Sequence, residues 1–82
     1  MHFVYVVRCA DGTLYTGYAR DPRERERVHN SGRGARYTAG RRPVTLVYSE
    51  SFESHGDALR REYQVKRWSR AQKEALIADR RR

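Results

Sequence analysis

His2-Phe3-Val4-Tyr5-Val6-Val7-Arg8, Cys9-Ala10-Asp11-Gly12 and Thr13-Leu14-Tyr15-Thr16-Gly17-Tyr18 run consecutively, and their reading decides the fold. Phe3, Tyr5 and Val7 alternate with Val4 and Val6, so both faces of the first segment are apolar. That pattern marks a central strand covered on two sides. Ala10-Asp11-Gly12 is a turn, and residues 13–18 form the return strand. A three-residue loop with Gly12 in the left-handed region pairs Cys9 with Thr13, Tyr5 with Gly17 and Val7 with Tyr15. In that register the two tyrosines share one side of the sheet on a diagonal, whereas a two-residue loop would separate them. Gly17 leaves a space beside Tyr5 that any side chain would fill.

Working outward, Asp21-Pro22 supplies an N-cap and first position for a helix to about Asn30, with Gly32 suited to its C-terminal cap. Val28 is its clearly apolar residue, and Arg25 and His29 flank it on the same helical face. Residues 31–43 form a basic, glycine-rich loop, and Val44 to Ser49 a third strand with Val44, Leu46 and Tyr48 alternating against Thr45 and Val47. Ser54 with Asp57 begins a second helix reaching about Trp68, and Ser69 with Gln72 begins a last short one. The order is β-β-α-β-α-α. The fold class expected is α+β, a small three-stranded antiparallel sheet flanked by helices. Residues 1–79 read as one domain and Arg80-Arg81-Arg82 as a basic tail.

The chain has 82 residues, room for a single modest core. Its one cysteine permits neither an intrachain disulfide nor a zinc cluster. No run approaches membrane length and no secretory n- and h-regions precede the first strand, which points to the cytoplasm. Net charge is +8, and all the basic residues but Arg8 fall in two blocks, 20–42 and 60–82, separated by a segment whose only charges are three acids. Charge in two blocks on so small a domain suits a polyphosphate partner, nucleic acid above all.

Glu62 carries the strongest chemical signal. At about 100° per residue it falls near the middle of the helical face shared by Ala58, Leu59 and Val65. An unpaired carboxylate there is costly. Either Lys66 pairs with it one turn on, or it meets a divalent cation in a cleft beside the sheet, where Mg²⁺ needs few protein carboxylates. Arg25 can grip a phosphate with two parallel bonds, and His29 can move a proton near neutral pH. Tyr5 and Tyr15 are either core aromatics or phenols in the same network. Tyr37, among Arg33, Arg36, Arg41 and Arg42, reads as a stacking platform for a base, with those arginines and Lys66 as phosphate contacts.

Tyr5, Tyr15-Thr16-Gly17, Arg25, His29 and Glu62, at this order and spacing, resemble the GIY-YIG endonuclease domain. The likeness is greatest to its small stand-alone bacterial UPF0213-type branch. The first triplet here is Phe-Val-Tyr and the second Tyr-Thr-Gly. The resemblance implies a metal-dependent DNA endonuclease of low sequence specificity, acting on single-stranded DNA or repair and recombination intermediates, with a protein partner for targeting. In it Tyr5 is the general base or orients the water, and Tyr15 hydrogen-bonds in the same network. Arg25 binds the scissile phosphate, His29 aids proton transfer or positions Tyr5, and Glu62 holds one Mg²⁺ or Mn²⁺, oriented by Lys66. Pro22 and Glu26 stand where the family is usually apolar, which implies a loosely held first helix. The competing expectations are a non-catalytic nucleic-acid binder on the same scaffold and a basic adaptor for an acidic partner.

Overall fold

The computed structural model describes residues 1–79, so the basic tail 80–82 lies outside the described residues. Strands β1 (His2–Arg8), β2 (Leu14–Ala19) and β3 (Thr45–Phe52) form an antiparallel sheet in the order β2-β1-β3. Helix α1 (Pro22–Asn30) follows the hairpin, then one short turn α2 (Arg36–Ala39), and α3 (His55–Lys66) and α4 (Arg70–Asp79) follow β3. The expected element order holds, with α2 added inside the basic loop.

The hairpin follows its turn chemistry. Gly12 has φ 87°, Cys9 N–H donates to Thr13 C=O at 2.8 Å, and Tyr5 pairs with Gly17 and Val7 with Tyr15. Tyr5 and Tyr15 therefore share a face. β1 is central and its Val4, Val6 and Val7 are fully buried.

β3 departs from simple alternation. Val6 pairs with Tyr48 but Val7 pairs with Leu46, so Val47 is an extra residue, a β-bulge. The bulge sends Leu46 to the Tyr5 face and Tyr48 to the other, where Val47 also packs. The expected grouping of Val44, Leu46 and Tyr48 is thus corrected. β3 also runs on to Phe52, beyond the expected Ser49, because Glu50 is satisfied by Tyr48 Oη at 2.6 Å and Arg61 Nε at 2.5 Å.

The helices use the caps their sequences carry. Asp21 Oδ1 accepts from Glu24 N–H, and Ser54 Oγ accepts from Asp57 N–H. Ser69 and Gln72 satisfy each other's backbone N–H at 3.2 and 2.9 Å, a full capping box. α1 ends with Gly32 at φ 86°, where Gly32 N–H bonds His29 C=O and Arg33 N–H bonds Val28 C=O, a Schellman motif.

α1 is pinned to the sheet by polar groups. Asn30 bonds both the N–H and C=O of Val44, at 2.7 and 3.0 Å, and Glu26 accepts from the bulge amide of Leu46 at 2.6 Å. The expectation of a loosely held helix is corrected, because Glu26 replaces apolar packing with a bond to an otherwise unpaired strand edge. Its inward stripe is Pro22, Arg25, Glu26 and His29, spaced i, i+3, i+4, i+7, and Val28 lies beside it. α3 repeats the spacing with Ala58, Arg61, Glu62 and Val65 inward, and leaves Leu59 and Tyr63 exposed. α1 covers the Tyr5 face. α3 covers the other, where His55 meets Tyr18 and Arg61 meets Glu50.

Candidate active site

Gly17 lies on edge strand β2, paired with Tyr5. A Cβ there would lie 2.5 Å from Tyr5 Oη and 2.6 Å from Cζ, so the phenol lies directly across the bare glycine. The expected space beside Tyr5 is real and is filled by Tyr5 itself. Tyr5 is buried, and its hydroxyl lies 2.7 Å from His29 Nε2 on α1. His29 is wholly buried, its Nδ1 2.8 Å from Thr38 Oγ1.

Burial pushes the Tyr5 phenol up to about 12, against a hydrogen bond from Arg25 and the Arg25 charge, which pull it down. Tyr15 and Glu62 add to the upward push, so Tyr5 senses Arg25, Tyr15 and Glu62 together. Desolvation outweighs the downward pull of Arg25. Tyr5 is a neutral phenol at neutral pH. Burial, then Arg25, holds His29 below the usual imidazole range, so it too is neutral.

Arg25 is half-buried on the inward stripe. Its neighbours Arg23 and Arg27 pair with Glu26 and Glu24, whereas Arg25 has no carboxylate partner among the described residues. A guanidinium beside two neutral groups, without an acid, is a ready anion site.

Tyr15 enters through its ring. It packs edge-on to His29 at 5.4 Å, stacks on Tyr37 at 5.8 Å, and has Lys66 Nζ 5.8 Å from its centroid. The expected hydrogen bond from its hydroxyl is not made among the described residues. Glu62 reaches the same edge from the opposite face, its side chain 17% exposed and 3.0 Å from Lys66 Nζ. Of the two alternatives for Glu62, the structure shows the Lys66 ion pair, and the carboxylate also adds to the upward push on the Tyr5 phenol.

Glu62 fits a hard cation that keeps most of its water. It offers carboxylate oxygen, and the described residues contain no group of three or more His, Cys, Asp or Glu that would form a closed cage.

The basic loop is less free than its composition implies. Arg41 lies 4.1 Å over the Tyr37 ring, pairs with Asp11 at 3.0 Å and donates to Tyr37 C=O. Tyr15 and Arg41 both lie on the Tyr37 ring, and the residue stays 40% exposed. Arg42 donates to Ala39 and Asn30 carbonyls, holding the loop. Arg33 and Arg36 are exposed and face solvent. Beyond Tyr37 a cleft of about 200 Å³ is lined by Thr13, Leu14, Trp68, Arg70 and Lys73. Burial and the nearby Lys66 charge lower the Lys73 pKa.

Two residues in the site escaped the sequence reading. Thr38 is buried against His29, and Gly34 clears the ring, since a Cβ there would lie 2.2 Å from Nδ1. The signal available was the closely spaced glycines of Gly32-Arg33-Gly34, too general to name a partner.

The GIY-YIG catalytic domain family matches residues 1–75. A UPF0213 protein of Halobacterium salinarum is 60% identical over 94% of this chain and 100% of its own length. One from Staphylococcus aureus is 54% identical over 96% of each. Among solved structures, the solution structure of a UPF0213 protein from Bacillus halodurans is similar with TM-score 0.61 and 48% identity, over 94% of this chain and 82% of that one. The solution structure of a protein from E. faecalis is similar with TM-score 0.63 and 42% identity, over 95% of this chain and 83% of that one. With this match along nearly its whole length, and with Tyr5, Tyr15, Arg25 and Glu62 gathered at one sheet edge, the chain belongs to the GIY-YIG catalytic domain family.

Proposed function

We propose that this chain is a metal-dependent DNA endonuclease that hydrolyses phosphodiester bonds with low sequence specificity. The observation that carries the reading is the convergence on Tyr5. Its phenol lies within the influence of an acid-free guanidinium, a second tyrosine and a carboxylate from the opposite face of the sheet. Each matches a need of the reaction. Arg25 would take two non-bridging oxygens of the scissile phosphate and offset the charge that grows on them. Tyr5, neutral and held by His29, would orient the attacking water in line with the leaving oxygen. Glu62 would hold one Mg²⁺ or Mn²⁺, which when bound supplies Lewis-acid charge to the phosphate. Lys66 would keep the carboxylate aimed and yield part of its pairing to the ion.

The substrate would be single-stranded or branched DNA, met by the exposed Arg33 and Arg36. Targeting by a protein partner is compatible with this reading. The second reading, a nucleic-acid binder without catalysis, is favoured by one contact, the Lys66 ion pair that already satisfies Glu62.

The test is cleavage of end-labelled single-stranded, flap and duplex DNA with Mg²⁺, Mn²⁺ or EDTA, for wild type and Glu62→Gln. Metal-dependent cutting lost in the variant is expected. Equal binding by both proteins, with no cutting of any substrate, would instead favour the binder.

A further inference from the structure

Three short contacts fix which nitrogen of His29 carries its proton. Tyr5 Oη is 2.7 Å from Nε2, Nδ1 is 2.8 Å from Thr38 Oγ1, and Thr38 Oγ1 is 2.9 Å from the Ala35 carbonyl oxygen. A carbonyl can only accept, so the single Thr38 hydroxyl hydrogen goes to Ala35. The Thr38 oxygen then offers only lone pairs to the ring, and Nδ1 must donate. A neutral imidazole has one N–H, so Nε2 is left with a lone pair facing the Tyr5 phenol.

One contact favours the opposite tautomer: Ala35 N–H points at Nδ1 from 3.3 Å. Satisfying it would set the lone pairs of Thr38 Oγ1 and the Ala35 carbonyl against each other at 2.9 Å whenever Thr38 donated to the ring. The shorter contacts outweigh the longer one. The loop is shaped for this closure. Thr38 is fully buried, and Gly34 has no side chain where a Cβ would lie 2.2 Å from Nδ1.

We propose that Thr38 is a positioning residue: it holds His29 as the Nδ1–H tautomer, so that Nε2 is the acceptor for the Tyr5 proton during hydrolysis. The role rests on the nuclease reading above. In the step, the phenol hydrogen passes to Nε2 as the phenol oxygen takes a hydrogen from the attacking water. The water oxygen bonds to phosphorus, the bond to the departing sugar oxygen breaks, and that oxygen takes a proton from solvent. Tyr5 ends as it began, and His29 ends as imidazolium, later losing its added proton to solvent.

The experiment is long-range ¹H–¹⁵N correlation of the imidazoles in labelled protein at neutral pH, with His29 assigned by loss of its signals in His29→Gln. Wild type should show protonated Nδ1 and bare Nε2. In Thr38→Val the Ala35 N–H remains on Nδ1, so the tautomer should reverse. Single-turnover cleavage should then slow by about 100-fold, with DNA binding unchanged. Thr38→Ser should restore both the tautomer and the rate. Protonated Nε2 in wild type, or an unchanged tautomer in Thr38→Val, would overturn the proposal. If no protein cuts DNA, the nuclease reading fails while the spectra still decide the role of Thr38 in fixing the ring. If Thr38→Val does not fold, the wild-type and Thr38→Ser spectra decide it.

Discussion

On one face of the sheet Val6, Tyr48 and Ile77 pack with Leu14, Val47 and Leu76, an ordinary apolar core under α4. On the other, Tyr5, Val7 and Cys9 meet α1, whose inward stripe is a proline, an arginine, a glutamate and a histidine. The first face derives its stability from burial. On the second, much of the same space is given to hydrogen-bonded groups, which hold a geometry at little gain in burial energy. The difference separates two kinds of residue: those whose loss unfolds the protein, and those whose loss leaves it folded but inactive.

Four substitutions or conditions sharpen that contrast, starting with the largest effect. Arg25→Ala removes an acid-free guanidinium from the polar face and should slow single-turnover cleavage by about 1000-fold. Its unfolding midpoint should stay near wild type, since no ion pair with a carboxylate is broken among the described residues. Gly17→Ala places a Cβ 2.5 Å from Tyr5 Oη. The phenol must move, so cleavage should fall about 100-fold, with about 1–3 kcal/mol lost from stability on denaturant titration.

Acid should act through His29. Its folded-state pKa lies below the ordinary 6.5, so the unfolded chain binds a proton where the native chain does not. Stability should therefore fall as pH drops below 6.5, and His29→Gln should remove that part of the slope in unfolding midpoints measured across pH. Cleavage should fall in the same direction, because protonated Nε2 cannot accept. The smallest effect belongs to Thr16, whose Oγ1 is buried with no hydrogen-bond partner among the described residues. Thr16→Val keeps the shape, removes that hydroxyl and should raise stability by up to about 1 kcal/mol, with cleavage unchanged.

The hairpin was legible residue by residue, because Asp11-Gly12 dictates its own loop geometry and the loop sets the register. The five residues of the cluster were legible as chemistry at a spacing. Less legible were the faces of the helices. Val28 looked like the inward centre of α1 and Leu59 like part of the inward face of α3, yet both lie aside from stripes that carry Arg25, Glu26 and His29, or Arg61 and Glu62. Hydropathy marks where water is excluded by apolar groups. It cannot mark a polar group whose partner comes from a distant strand, as Leu46 N–H does for Glu26. The bulge at Val47 was hidden for a related reason, since a continuous apolar run from Leu46 to Tyr48 fits either face. Thr38 was hidden most completely, because its role comes from a ring nine residues earlier in the chain.

The most direct test of the two-face account pairs Tyr5→Phe with Val6→Ala and measures both cleavage rate per folded molecule and stability to denaturant. Tyr5→Phe deletes one hydroxyl on the polar face and should lower the rate about 100-fold or more, while leaving buried His29 Nε2 without its partner should cost about 1 kcal/mol of stability. Val6→Ala hollows the apolar face and should cost about 2 kcal/mol while each folded molecule cuts at the wild-type rate. Cleavage by Tyr5→Phe at the wild-type rate would contradict the account, because the phenol at the centre of the cluster would then be core and nothing more.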